Sequence, residues 1–423
     1  MDSSIITLIF LVFAIVMFAW EKIPLAVTAM IVAIGLVITG VLKPEEAFAG
    51  FVDSNVLLFM AMFIVGGAFF ETGMAQKIGG IVTKFAKTER QLIISVMLIT
   101  GLMSGVLSNT GTAAVLIPVV IGIAAKSGFS RSTLLLPLVF AAAMGGNLSL
   151  IGAPGNMIAQ SALKQIGDGF GFFEYAKVGL PILIIGILYF TLIGHKLLPK
   201  REEVDLEEDS IYAQEVDYSK VPKWKQVMSL GILILTVIAM IFEQQIGIAL
   251  HVSAWIGALV LMATRVIPEK KAMRSIDMNT ILLFVGSLAL ANAIQVSGAG
   301  KLIASSLMST LGKDPSPYVL LFVILVLSAT MTNFMSNTAT TALLVPISIS
   351  IANGMGADPS AVLMATVIGG SLAFATPIGM PANTMVYGLG GFKFKDYAIA
   401  GIPLIILSII VSMILLPIFF PFY

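Results

Sequence analysis

The residues whose types could do chemistry form two short polar islands, Ser108-Asn109-Thr110 and Ser336-Asn337-Thr338. Each sits in a copied apolar frame, SNTGTAAVLIPVVIGIA over 108–124 and SNTATTALLVPISISIA over 336–352. Hydroxyl and amide oxygens are hard ligands that suit a small cation. Interrupting apolar runs at matching places in two halves, they are the sequence form of a midplane site in a transporter built from repeats. A hydroxyl four residues before each island, Ser104 and Thr332, lies one helical turn back on the same face and can share the ion. No carboxylate lies in either island's segment or in the run that follows it. Backbone carbonyls freed at helix breaks, with Ser, Thr and Asn side chains, must therefore complete an oxygen shell.

The surrounding chain is 58% hydrophobic and 11% charged over 423 residues, about half the charge a water-soluble domain carries. It reads as an all-α polytopic membrane protein embedded in a lipid bilayer. Apolar runs near 5–20, 24–42, 55–73, 132–150, 176–198, 227–242, 250–264, 279–296, 360–375 and 399–420 are mostly long enough to cross about 30 Å at 1.5 Å per residue. The first run lacks a basic n-region and an Ala-x-Ala site, so it reads as a span and not as a cleaved signal. Without cysteine there is no disulfide framework or thiolate metal site, and a net charge of +1 points to no nucleic-acid partner. No His/Cys cluster, G-x-S-x-G or phosphate loop marks an enzyme, and no cofactor is expected beyond a coupling ion.

A repeat covers nearly the whole chain: 20–59 reads against 242–284, 71–82 against 296–307, and 172–181 against 394–403. Each half carries two spans, a third span with an amphipathic piece (Ala75 to Lys87; Lys301 to Leu311), an island segment, a Gly/Pro-broken span and a last span. The island segments are too long for one crossing and have their polar residues in the middle, so each reads as a re-entrant hairpin. Five crossings per half is an odd number, which requires the second half to be inverted. The expected organisation is a first repeat at 1–198 (hairpin 91–125, broken helix 132–165), a cytoplasmic linker at 199–226, and a second repeat at 227–423 (hairpin 317–352, broken helix 360–389). With the linker inside and both termini outside, 19 of the 24 Lys and Arg fall on the cytoplasmic side, as the positive-inside rule requires.

Duller readings exist for each feature. One Ser-Asn-Thr in a membrane helix reads as interhelical hydrogen bonding; two in register, each beside a broken span, read as a site. Glu71, Glu243, His195 and His251 fall at span ends and read as interfacial, not as a proton relay. The amphipathic pieces read as interfacial arms.

Duplicated SNT hairpins, each followed by a broken span with a Pro-x-Asn element (IGAPGNMI, 151–158; IGMPANTMVYG, 378–388), resemble the divalent anion:Na⁺ symporter (DASS) family of the ion transporter superfamily. The stretch 374–404 is similar to family permeases with TrkA-C domains between their halves, for which the linker here is too short. The resemblance implies Na⁺ at each hairpin tip, held by Ser104, Ser108, Asn109 and the Gly152 backbone, and by Thr332, Ser336, Asn337 and the Gly379 backbone. It implies a small divalent anion between the tips, lined by Ser108, Asn109, Thr110, Ala153, Pro154, Ser336, Asn337, Thr338, Met380 and Pro381. Many dicarboxylate-carrying relatives have a threonine at each break, where this chain has Ala153 and Met380. The expectation is an elevator-type transporter, a homodimer in a prokaryotic inner membrane, coupling Na⁺ to uptake of a C4-dicarboxylate. Sulfate is the competing anion, and a Na⁺/H⁺ antiporter or arsenite-extrusion protein of the superfamily is the competing class.

Overall fold

The computed structural model describes residues 2–20, 22–83, 88–127, 129–199, 218–311 and 316–422, and these contain helices and no strands. The linker is described only at its two ends, and Lys84 to Lys87 of the first amphipathic piece lie outside the described residues. The first half comprises α1 (Ser3–Trp20), α2 (Leu25–Ile38), α3 (Ser54–Glu71), α4 (Met74–Thr83), α5 (Glu89–Ser104), α6 (Asn109–Ser127), α7 (Ser132–Gly145), α8 (Pro154–Gln165) and α9 (Ala176–Tyr189). Their counterparts follow in the same order: α10 (Lys223–Ile241), α11 (Leu250–Ala263), α12 (Met278–Val296), α13 (Ala299–Leu311), α14 (Pro317–Met331), α15 (Asn337–Gly354), α16 (Pro359–Gly370), α17 (Pro381–Leu389) and α18 (Phe394–Phe419), with the shorter helices Pro44–Phe48, His195–Leu197, Glu243–Ile246 and Glu269–Ser275 between the numbered ones.

Among the described residues, five stretches are long and apolar enough to cross a membrane: Pro44–Glu71, Ala176–Leu197, Lys223–Ile241, Met278–Val296 and Phe394–Phe419. The other apolar helices are shorter because breaks or caps interrupt them. The segment at 132–165 divides into α7 of 14 residues and α8 of 12, and the matching segment into α16 of 12 and α17 of 9. None reaches the roughly 20 residues a crossing needs. Proline stands at the first position of α8 and of α17, where a missing N–H costs nothing.

The halves interlock. α2 packs along α12, and α3 along its counterpart's neighbour α11, so one layer exchanges helices between halves. In the other layer α5 lies along α7 and α14 along α16, while α6 packs on α17 and α15 on α8. The Phe140 and Phe374 rings meet across the halves at 4.9 Å, and Tyr189 donates to the Ala400 carbonyl at 2.9 Å. Glu71 is exposed and pairs with Lys271 at 2.5 Å, an end-of-span contact rather than a membrane-buried carboxylate.

Candidate functional site

Each polar island starts a helix. Ser108 Oγ accepts from the Gly111 N–H at 3.1 Å and Ser336 Oγ from the Ala339 N–H at 3.1 Å, which fixes where α6 and α15 begin. The asparagine that follows turns into its own half. One terminal atom of the Asn109 amide lies 2.7 Å from Ser104 Oγ, 3.0 Å from the Gly152 carbonyl and 3.2 Å from the Ala142 carbonyl. Its copy on Asn337 lies 2.8 Å from Thr332 Oγ1, 3.1 Å from the Gly379 carbonyl and 3.2 Å from the Gly370 carbonyl. Ser104 Oγ is itself 2.7 Å from the Ala142 carbonyl, and Thr332 Oγ1 is 2.6 Å from that of Gly370.

The two orientations of such an amide have opposite meanings. With nitrogen turned inward it donates to the carbonyls. With oxygen inward, four oxygens converge around a single hydroxyl proton, which is repulsive unless a cation lies among them. The geometry thus brings Ser104, Asn109 and Gly152 together, and likewise Thr332, Asn337 and Gly379. Ser108 and Ser336 sit beside these cages with their hydroxyls occupied as helix caps.

The breaks are held open by side chains. Asn156 Nδ2 donates to the Gly146 and Ser149 carbonyls at 2.8 and 2.7 Å, and Asn383 Nδ2 to the Ala373 and Thr376 carbonyls at 2.7 and 3.0 Å. Tyr175 and Tyr397 hydroxyls donate to the Asn156 and Asn383 carbonyls, each at 2.7 Å. The Pro-x-Asn elements are therefore staples for the broken backbone. Close approach also demands glycine: a Cβ on Gly146 would stand 2.6 Å from Asn109 Oδ1, and one on Gly152 2.5 Å from the Gly146 carbonyl.

Between the cages lies a cavity of about 490 Å³ lined by Ser108, Asn109, Thr110, Ala153, Pro154, Ser336, Asn337, Thr338, Met380 and Pro381, all ten positions expected at a substrate. Met380 lies in this lining and does not turn away. The N-terminal ends of α6, α8, α15 and α17 converge here. Ala153 and Met380 make no side-chain cap to α8 and α17; their carbonyls take the Asn156 and Asn383 N–H groups, which leaves the N–H of Gly155 and of Ala382 at the helix starts, and helix N-termini favour negative charge. Among the described residues no Lys, Arg or His lines the cavity, and the one ionisable side chain in the lining is Asp277. Sequence reasoning missed the carbonyls of Ala142 and Gly370. It also missed the lining from Phe59, Asp277, Thr280, Thr341 and Ser371. Only the repeated hydroxyl–Asn spacing could have pointed toward the two carbonyls.

Broken helices thus place two matching clusters of hydroxyl, amide and carbonyl groups beside one cavity, and similarity to known proteins gives the class of the chain: a membrane transporter and not an enzyme. The chain belongs to the citrate transporter family (CitMHS), which matches residues 15–369. It is 29% identical to an uncharacterized transporter of Methanocaldococcus jannaschii, with 95% of this chain and 90% of that protein covered. It is 23% identical to the sodium-dependent dicarboxylate transporter SdcS of Staphylococcus saprophyticus, covering 92% and 81%. Its fold matches the crystal structure of the Alcanivorax borkumensis YdaH transporter with a TM-score of 0.66 at 16% identity, over 97% of both chains.

Proposed function

We propose that this protein couples Na⁺ to uptake of a small divalent anion, with a C4-dicarboxylate favoured, and that the two asparagine cages are the Na⁺ sites. The single observation that carries the reading is the duplicated convergence of Asn109 and Asn337 on carbonyl and hydroxyl oxygens beside one cavity that no basic residue lines among the described residues. In it, Na⁺ arrival turns each amide oxygen inward and supplies the positive potential that the cavity lacks. The anion then sits between the tips, on helix N-termini and on the donors of Asn109, Thr110, Asn337 and Thr338. Ordered this way, cations precede the anion, and coupling follows from electrostatics without a titrating group. SdcS, by name a sodium-dependent dicarboxylate transporter, supports both the ion and the anion class.

Inverted repeats and an elevator movement of the hairpin layer against the exchanged layer complete the reading. Their support is the interlocked two-layer packing and the distribution of Lys and Arg. The homodimer in a prokaryotic inner membrane rests on the family resemblance. Sulfate remains a second reading on one observation: Ala153 and Met380 stand where a dicarboxylate would meet break hydroxyls.

The test is uptake of succinate, malate, citrate and sulfate into proteoliposomes, each with and without an inward Na⁺ gradient. Succinate or malate uptake that collapses without Na⁺ supports the reading. Uptake indifferent to Na⁺ contradicts it, and sulfate uptake alone moves the assignment to the second anion.

A further inference from the structure

The cavity floor holds a polar pair that neither the cages nor the breaks use. Ser371 caps the end of α16, lines the cavity and is 3% exposed. Its Oγ lies 3.0 Å from Asn147 Oδ1, on the first half's break, and 3.1 Å from the Val367 carbonyl. One hydroxyl proton can serve only one of these acceptors. Asn147 is 1% exposed, and its Nδ2 is buried without any hydrogen-bond partner. A buried amide with unspent N–H groups is costly, and such a group in a native fold calls for an explanation. Its position is not accidental slack: the backbone of Asn147 leaves helical geometry at φ −93°, ψ 17°, and Gly179 packs against its carbonyl too closely for any Cβ.

The pair is also one-sided. By the match of Ala142 with Gly370, the first-half counterpart of Ser371 is Ala143, which is fully buried and has no donor. The cavity therefore lacks hydroxyls at both breaks, Ala153 and Met380, yet gains one on its floor from the second half alone.

We propose that Ser371, oriented by Asn147, is a specificity-determining donor to the transported anion. When Asn147 Oδ1 faces Ser371, it holds the serine proton. When the amide turns, Nδ2 donates to Ser371 Oγ and the serine proton is released toward the cavity, where an oxyanion accepts it. With the amide so turned, the N–H keeps its partner in Ser371 Oγ while the serine proton exchanges the Val367 carbonyl for the anion. No group changes its protonation. Ser371 touches the anion; Asn147 acts through it and is a positioning residue. This inference rests on the anion-transport reading of the same cavity.

The experiment is a set of Ser371→Ala, Ser371→Thr, Asn147→Ala and the double variant Asn147→Ala/Ser371→Ala. Each is read by KM for succinate, citrate and sulfate in proteoliposomes, by half-saturating Na⁺, and by the anion-induced rise in Tm at fixed Na⁺. Loss of one donor to an ionic ligand predicts that Ser371→Ala raises KM for the transported anion about tenfold or more and diminishes the anion-induced Tm rise. Half-saturating Na⁺ should move less than twofold. Ser371→Thr, which keeps the hydroxyl, should restore KM to within about twofold of wild type. Asn147→Ala should raise KM by less, and the double variant should be no worse than Ser371→Ala alone, as expected of residues acting in one chain.

If Ser371→Ala does not fold, Ser371→Cys against Ser371→Thr makes the same comparison with a weak donor in place of a strong one. Unchanged KM in a folded Ser371→Ala, or a Na⁺ response that shifts as much as KM, overturns the proposal. Absence of uptake of every anion by wild type instead overturns the transport reading on which it rests.

Discussion

The two helix breaks carry the same oxygen cage on different supports. In the first half, residue 105 is glycine, and Leu148 packs so tightly over it that a Cβ would meet the leucine Cβ at 3.0 Å. Its carbonyl takes a short bond from Ser149 Oγ. In the second half the same place is Asn333, whose Nδ2 donates to the Ala329 and Leu372 carbonyls at 2.7 and 3.1 Å, while Oδ1 accepts from the Ala375 N–H at 2.7 Å. Both breaks share the Asn156 and Asn383 staples and a hydroxyl on this carbonyl, from Ser149 or Thr376; beyond these, one is wedged by Leu148 and the other carries a second amide clamp. The cage geometry is common to both, so the support can diverge provided that Asn109 and Asn337 still reach their carbonyls.

A second difference lies at the ends of α3 and α12. Asp53 caps α3 and accepts from Ser161 Oγ on α8 at 3.0 Å, while Asn55 Nδ2 donates to the same oxygen at 2.8 Å. Asp277 caps α12 and lines the cavity. By the match of Asn156 with Asn383, the counterpart of Ser161 is Gly388, which has no side chain to latch. One end of the layer interface is tied and the other is open.

The comparison between halves breaks outright if the halves are not inverted. Single cysteines at Lys223 and Lys301, introduced into a chain with none of its own, should label from opposite sides of the membrane with an impermeant maleimide. Labelling of both from one side would remove the inverted arrangement. The amide clamp is tested next: Asn333→Ala leaves buried carbonyls unpaired and should destabilise the protein by about 2–4 kcal/mol, seen as a clear fall in Tm. An unchanged Tm would mean that the Asn383 staple and packing hold the second break without Asn333.

Ser161→Ala sharpens the contrast between the tied and open ends. Loss of the latch, about 1–3 kcal/mol, should slow modification of a Thr280→Cys probe in the cavity as the population shifts away from the state described here. Unaltered modification would make the Asp53–Ser161–Asn55 contact a packing detail. The smallest effect is at Met380. Met380→Thr adds a hydroxyl beside the uncapped start of α17 and should shift competition toward succinate over sulfate by a few-fold, about 1 kcal/mol. Identical competition profiles would show that this side chain does not contact the anion.

Much of the site could be read from sequence because its parts are close along the chain. Ser104 with Asn109, and Thr332 with Asn337, are five residues apart, so one helical turn and a tip suffice to relate them. Ala142 and Gly370 were hidden, because every residue has a carbonyl and only the packing of α5 along α7 and of α14 along α16 brings these two to Ser104 and Thr332. Ser371 and Asn147 were hidden for another reason: they are 224 residues apart and meet only when the halves interlock. The helices Pro44–Phe48 and Glu269–Ser275 escaped notice because five and seven residues are too few for a periodic signal. Helix α5 begins at Glu89, two residues before the segment expected from 91, because Thr88 Oγ1 accepts from the Gln91 N–H as a cap.

The central claim is that both asparagine cages bind Na⁺, and thermal unfolding tests it without knowledge of the anion. A ligand that binds only the folded state stabilises it by RT ln(1 + [L]/Kd), so Tm of the purified protein should rise as Na⁺ replaces K⁺ at constant ionic strength. Asn109→Ala and Asn337→Ala should each reduce that rise and raise the Na⁺ concentration that gives half-maximal transport, and the double variant should show no Na⁺-specific rise. A double variant that keeps the wild-type Na⁺ response would contradict the account.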